Sequence, residues 1–471
     1  MKTELDNSNT NKMEYMPIGR LIIDMALPII VAMTVHALYN IIDGIFVSRI
    51  NLEAFNAISL AMPVQRLISS VAIGCAIGIN AVLSNALGRQ DDKNIRKIVE
   101  SGMLISCVCS LAFIIFGLFC IRPIISAQTD NPVVIEYAVQ YLRIICIFSF
   151  SGFFEVTIER FLISSGRTSL TMISQIAGTV LNLIMDPVFI FTLNLGVSGA
   201  AISTVLSQFI AMILALYLNE KYNSEIKINR SIPKPCGNII ADICKVAIPA
   251  IVTNLTTSVM IFGLNAILYN YTSGMEISQN VFGVYSKLNS LSALPVMGIG
   301  NAVIPIIAFN LGQKDFGRVR ETIIKSLKFS IVINIVLTVL FLIMPKLLLS
   351  IFMGAAGDTE ARLMYAAGIP ALRIISLSFI FSGITMTLCS VFQGMGNGMY
   401  SAVPAITRQI LFLLPAAYVL ARLGFAAGTD TVVWYSFLIA EFLSMLLALF
   451  MCKKEYRRIS SEISEEEEFG K

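Results

Sequence analysis

The chain has 471 residues, of which 56% are apolar and 14% charged, with a net charge of +4 and a single histidine. That composition excludes a soluble globular domain, and the small positive balance implies no nucleic-acid partner. One histidine excludes a two-histidine metal-hydrolase motif, and there is neither a GxSxG serine for His36 to activate nor a phosphate loop of the GxxxxGKS or GxxxxGKT type. The sequence therefore reads as a non-enzyme with no cofactor of its own.

A bilayer core of about 30 Å needs roughly 20 apolar residues of helix. Twelve stretches meet that need: 21–47, 54–86, 98–121, 134–158, 168–193, 197–219, 242–269, 278–309, 322–345, 362–389, 401–422 and 431–452. They are too long, and alternate too little, for membrane strands. The predicted fold is an all-α integral membrane protein with twelve transmembrane helices. Residues 1–20 form a polar segment without a small-residue cleavage site, so the first span reads as helix one rather than a secretory signal. Residues 21–219 make the N-lobe, helices one to six. The polar linker 220–241 carries Asn223, Ser224, Lys227, Arg230, Pro233 and Pro235. Residues 242–455 make the C-lobe, helices seven to twelve, and the acidic tail 456–471, with Glu465 to Glu468, is expected to be a disordered, solvated end. The nine cysteines are scattered in or beside apolar stretches and suggest no disulfide framework. Cys107 and Cys109 fall on different helix faces and read as packing.

Lys and Arg fix the orientation. With a cytoplasmic N-terminus, twenty-three basic residues fall on inside segments, among them Lys12, Arg89, Lys93, Arg167, Lys227, Lys314 and Arg318. Five fall outside: Arg49, Arg122, Lys346, Arg362 and Arg422. Both termini are therefore expected to be cytoplasmic in a multi-pass protein of the cell membrane.

The chain also repeats itself. Ala26-Leu27-Pro28 leads to Gly88-Arg89-Gln90-Asp91, and Ala247-Ile248-Pro249 leads to Gly312-Gln313-Lys314-Asp315. Ile95-Arg96 follows one glycine turn and Val319-Arg320 the other; Gly74 and Gly298 share the same offset. Two similar halves in a membrane protein point to a transport path between them.

Ionisable groups inside a membrane span are expensive and mark sites. Asp43 and Asp186 each lie about seven residues from the outer end of their spans, and Thr204 lies about seven in from the outer end of its own. Asn182 is one turn before Asp186 and on the same face. Pro187 frees the carbonyl of Leu183, because proline has no N–H to offer it. These oxygens can hold a small cation or trap a proton; the alternative is a pair of independent, solvated helix-end carboxylates. Glu441 and Arg373 are both placed near the midplane, and a structural ion pair between them is expected in preference to substrate contact. His36 is expected to be a hydrogen-bonded interior group rather than a proton carrier. Some of the 21 Met and 29 Phe could line a promiscuous pocket.

Several of these runs belong together. Tyr39-Asn40-Ile41-Ile42-Asp43 with Ile45-Phe46-Val47, Leu181-Asn182-Leu183-Ile184-Met185-Asp186-Pro187, and Gly199-Ala200-Ala201 with Thr204 resemble the first-, fifth- and sixth-helix motifs of the multidrug and toxic compound extrusion (MATE) family. Together with the two glycine turns, the resemblance spans about residues 15–455 and is strongest to the bacterial branch that includes the MepA and DinF exporters. It implies two six-helix lobes related by a pseudo-two-fold axis along the membrane normal. It also implies a monomer among membrane lipids that exports amphipathic organic cations by H⁺ or Na⁺ antiport. Asp43, Asn182, Asp186 and Thr204 match the family's N-lobe cation site, so Asp43 and Asp186 become the ligands of a coupling Na⁺ if that is the ion. Glu159 matches an acidic fourth-helix position linked to cationic drugs; with Glu155 and Met185 it makes the candidate substrate-binding set. Lys287 falls where the eighth helix usually carries a basic residue. Leu264 stands where repeat symmetry would place a partner for Asp43, and Ser48 where the family often has Gly. The competing reading within the same superfamily fold is a flippase for lipid-linked saccharides, with Arg66, Arg373, Arg408 and Lys287 facing a pyrophosphate.

Overall fold

A computed structural model describes residues 11–228, 235–271, 275–352 and 358–469. Arg230 and Pro233 of the linker lie outside the described residues, as do Lys2, Lys234 and Lys471, three more of the twenty-three basic residues counted on inside segments. All regular structure among the described residues is helical. The physical reason is the apolar length of each run: in lipid, a backbone must satisfy its own hydrogen bonds, and a helix does so within one segment.

The short α1, Lys12–Tyr15, is followed by α2, Ile18–Ser48, α3, Leu52–Gly88, and α4, Asp92–Phe119. Asn51 and Asp91 cap α3 and α4, their side chains accepting from the Ala54 and Asn94 amides at 2.6 and 3.2 Å. Next come α5, Ile121–Ser126, α6, Pro132–Ile147, α7, Phe150–Ser164, and α8, Thr168–Pro187. A π-helical turn, Val188–Thr192, extends α8, and α9 runs over Gly196–Tyr222. The second part of the chain holds α10, Gly237–Tyr271, α11, Met275–Ser292, α12, Leu294–Gly312, α13, Phe316–Ile343, and α14, Pro345–Ser350. It continues with α15, Asp358–Ser376, α16, Phe379–Gly394, and α17, Gly398–Ile406. A second π-turn, Thr407–Leu413, leads into α18, Leu414–Ala427, and α19, Tyr435–Phe469.

Ten of the described helical spans are long and apolar enough to cross a bilayer. Two bent pairs, α6 with α7 at 45° and α15 with α16 at 48°, bring the number to twelve when each pair is one crossing. The eighth expected span, 278–309, is broken into α11 and α12 at Ala293. Pro295, the second residue of α12, has no amide to continue the ladder from α11. The acidic tail also departs from expectation: α19 stays helical to Phe469. Glutamate is a good helix former, and no glycine or proline interrupts the run before Gly470.

The chain forms two compact units, one of residues 1–251 with 304–315 and one of 252–303 with 316–471. In the first, α3 packs through small residues. A Cβ on Gly78 would strike the Ile243 carbonyl oxygen of α10, and one on Gly88 would strike the Phe309 carbonyl oxygen of α12. Membrane helices approach this closely only where the side chain is absent or small. In the second, Phe282, Tyr285, Phe341, Phe379, Trp434 and Phe437 fill the core.

Candidate ion-coupling site

Asp186 is wholly buried near the end of α8. Asn182, one turn earlier, donates from Nδ2 to Asp186 Oδ1 at 2.9 Å and to Ser203 Oγ on α9 at 3.2 Å. Ser203 Oγ in turn donates to Asp186 Oδ1 in a short hydrogen bond. From α2, Tyr39 Oη donates to Asp186 Oδ2 at 3.4 Å. Three donors from three helices thus converge on one carboxylate. Asp43, one turn beyond Tyr39 on α2, interacts directly with Asp186. Its own Oδ1 is buried without a hydrogen-bond partner. The two aspartates therefore form one site; they are not independent helix-end carboxylates.

Local sequence explains how α8 delivers its carboxylate. Pro187 follows Asp186 and cannot donate to the Leu183 carbonyl. The helix then widens into the π-turn Val188–Thr192, closed by the Leu193 amide on the Val188 carbonyl at 2.8 Å. Such turns recur at functional positions in helices.

Thr204 is half-buried, donates to the Ala200 carbonyl of its own helix at 2.9 Å and also interacts with the Tyr39 hydroxyl. Ser203, its neighbour, supplies the α9 hydroxyl on Asp186. Thr204, the residue expected from the sequence, meets Tyr39 and not Asp186 itself, because consecutive helical residues point about 100° apart. Tyr39 was legible as the residue one turn before Asp43. For Na⁺, the ligands at hand would be the Asp43 and Asp186 carboxylates and the Ser203 hydroxyl. Hard oxygens suit it, yet three lone-pair positions on Asp186 already accept donors. A proton needs only the orphaned Asp43 oxygen and its neighbour.

The expected substrate set lies elsewhere in the same unit. Glu159 on α7 is 2% exposed and accepts Gln175 Nε2 at 2.8 Å and Ser174 Oγ at 3.4 Å, both from α8. Glu155 is half-buried one turn before it, close to Gly178, and Met185 is half-buried beside Asp186. One other expectation is corrected. Glu441 pairs with Arg408 at 3.2 Å, not with Arg373. Arg373 is exposed and donates to the Leu342 carbonyl at 3.3 Å, because the bend after Ser376 takes α15 off the straight path assumed for span ten. His36 has an accessible side chain on α2, its ring 6.0 Å from that of Tyr39. Lys287 is also exposed and lies over the Phe352 ring.

Apolar helices of membrane-crossing length around a buried, hydrogen-bonded aspartate pair define a multi-pass α-helical membrane transporter. The chain belongs to the MatE family, whose profile matches residues 28–188 and again 249–419. Each match begins at the repeated proline, Pro28 in one half and Pro249 in the other. The chain is 24% identical over 440 residues to the multidrug export protein MepA of Staphylococcus haemolyticus strain JCSC1435, covering 93% of this chain and 94% of the relative. It is 25% identical over 416 residues to the FAD transporter of Shewanella oneidensis, covering 85% and 88%. Among solved structures, a MATE protein in complex with MaL6 superposes with a TM-score of 0.89 at 22% identity, covering 97% of this chain and all 100% of that one. A MOP-superfamily transporter from Pyrococcus furiosus superposes with a TM-score of 0.88 at 22% identity over 97% of this chain and 99% of that one.

Proposed function

We propose that the protein is a proton-coupled antiporter of the cell membrane that exports organic cations and related amphipathic drugs, with both termini in the cytoplasm. The carrying observation is the Asp43–Asp186 pair. Asp186 gathers donors from Asn182, Ser203 and Tyr39, an arrangement that suits an ionised carboxylate. Asp43 has an orphaned buried oxygen beside it, which suits the group that takes the proton. A proton on Asp43 can be donated to Asp186, removing the repulsion between two charges and drawing α2 against α8. The π-turn after Pro187 is where α8 has the least regular backbone to resist that movement. Each charge carried through the field contributes about 2.3 kcal/mol per 100 mV of membrane potential, enough to bias a two-state carrier. The multidrug-export names of the staphylococcal relatives support the cargo class.

Proteoliposomes loaded with ethidium and given a pH gradient alone, then a sodium gradient alone, test the reading. Efflux is expected under the proton gradient. Asp43→Asn and Asp186→Asn should each abolish it, and because the two act as a unit the double variant should be little worse than either single one. Near-normal efflux from either variant at normal protein levels would return both aspartates to a structural role. Transport driven by sodium alone would make Na⁺ the ion.

The Shewanella relative favours a second cargo, a flavin nucleotide. Uptake of radiolabelled FAD into the same vesicles, competed against ethidium, separates the two.

A further inference from the structure

The second unit buries a charge pair that the coupling site does not use. Arg408 Nη1 donates to both oxygens of Glu441, at 3.2 and 3.4 Å, and to Ser382 Oγ at 3.3 Å. An arginine–carboxylate pair normally engages two guanidinium nitrogens. Here one nitrogen serves three acceptors, while Arg408 Nε is buried with no partner. The pair is not sealed, since the Arg408 and Glu441 side chains remain 19% and 13% exposed. The next residue on each helix is aromatic: Phe381 precedes Ser382, Phe442 follows Glu441, and their rings meet edge to face at 5.4 Å. The neighbours Phe381-Ser382 on α16 and Glu441-Phe442 on α19 thus set an aromatic pair next to a polar one.

Placement reinforces the point. π-Turns account for well under 1% of residues in globular proteins. Of the two among the described residues, the first follows Asp186-Pro187 directly and the second contains Arg408. Each unit places a buried charge at its π-turn, a carboxylate in one and a guanidinium in the other. Ser444 Oγ donates to the Pro404 carbonyl at 3.0 Å and fixes α17 to α19 one turn from the pair.

We propose that Arg408 and Glu441 form a cargo-charge selector: a lipophilic ion docks at the Phe381–Phe442 rings and takes one member of the pair as its counter-ion. A cation takes Glu441 and an anion takes Arg408. Because the pair is neutral as built, each partner masks the other, and the site accepts either sign weakly. This suits a broad-specificity carrier and rests on the transport reading above.

Equilibrium binding to the purified full-length protein in detergent tests it, with tetraphenylphosphonium as the cation, carboxyfluorescein as the anion and Nile red as a neutral control. Arg408→Gln should tighten tetraphenylphosphonium at least about fivefold and weaken carboxyfluorescein; Glu441→Gln should do the reverse, as close charge pairs dictate. Should a single variant fail to fold, the Arg408→Gln/Glu441→Gln double leaves no charge buried alone. It should weaken both ions at least about threefold and leave Nile red unchanged. Parallel loss of all three probes would make the pair a structural clamp and overturn the proposal. So would unchanged binding in every variant of a protein whose wild type binds tetraphenylphosphonium; the transport reading would survive that result. A wild type that binds neither ion removes both.

Discussion

Asp186 owes its state to residues that a depth argument could not choose between. Ser203 and Thr204 are neighbours on α9 and both hydroxyls lie against the Ala200 carbonyl, but Ser203 bonds the carboxylate directly while Thr204 reaches it only through Tyr39. Leaving a buried charged acceptor without its donor costs about 1–3 kcal/mol. Ser203→Ala is therefore expected to slow proton-driven efflux about tenfold and to move its pH dependence, since the charged form of Asp186 loses a donor. Thr204→Val should cost less, about threefold, because it removes a bond to its own helix backbone and one to Tyr39 but none made directly to the carboxylate. Initial efflux rates across a series of pH values, at matched protein levels, decide it. A larger loss at Thr204 than at Ser203 would restore Thr204 as the α9 contribution to the site.

At the scale of elements, the two glycine turns of the repeat are structural equivalents. The Gln90 and Lys314 amides donate to the Leu87 and Leu311 carbonyls at 3.0 and 3.1 Å; the Asp91 and Asp315 amides donate to Ala86 and Asn310 at 3.2 and 2.9 Å. Gln90 and Lys314 both take left-handed backbone, with φ of 54° and 61°, so each turn stops its helix in the same way. The glycine before each turn also permits contact between α3 and α12, where Asn85 Nδ2 donates to the Ala308 carbonyl at 3.1 Å. A Cβ at Gly88 meets rigid backbone at Phe309, whereas one at Gly44 on α2 meets nothing within 4 Å. Gly88→Ala should thus lower the melting temperature in detergent by several degrees, on the order of 2–4 °C per kcal/mol lost. Gly44→Ala should leave it unchanged or raise it slightly, by the roughly 0.5–1 kcal/mol that alanine gains over glycine inside a helix. Equal effects at the two sites would show that the α3–α12 contact is not close-packed in solution.

For the whole molecule, the repeat extends into the interior of each unit. Ser106 and Thr157 share a buried hydroxyl–hydroxyl bond of 2.7 Å in the first, and Ser330 and Thr387 one of 2.6 Å in the second. The topology proposed from the basic residues can be tested at Lys227, whose side chain is exposed and whose Nζ donates to the Glu220 carbonyl at 3.0 Å. In a cysteine-depleted background, a cysteine at this position should resist an impermeant maleimide in intact cells and react once the membrane is opened. Rapid labelling from outside would invert the assignment of every loop at once, because the helices alternate direction.

The sequence by itself determined the apolar runs that become membrane-length helices, the places of the glycine turns and the shared helix face of Asn182 and Asp186. All three are readable in one dimension: bilayer thickness turns apolar length into a span count, glycine marks a helix end, and a spacing of four puts two residues on one face. Only the tertiary structure decided which side chains at a shared depth meet. It chose Ser203 over Thr204 because rotation about a helix axis is set by packing. It paired Glu441 with Arg408 instead of Arg373 because the bend after Ser376 diverts α15. It put His36 on the exposed face of α2, and it closed Glu159 in behind Gln175 and Ser174. Azimuth, bend and contact between distant segments depend on how helices pack against one another, and a single run of residues carries no record of its neighbours.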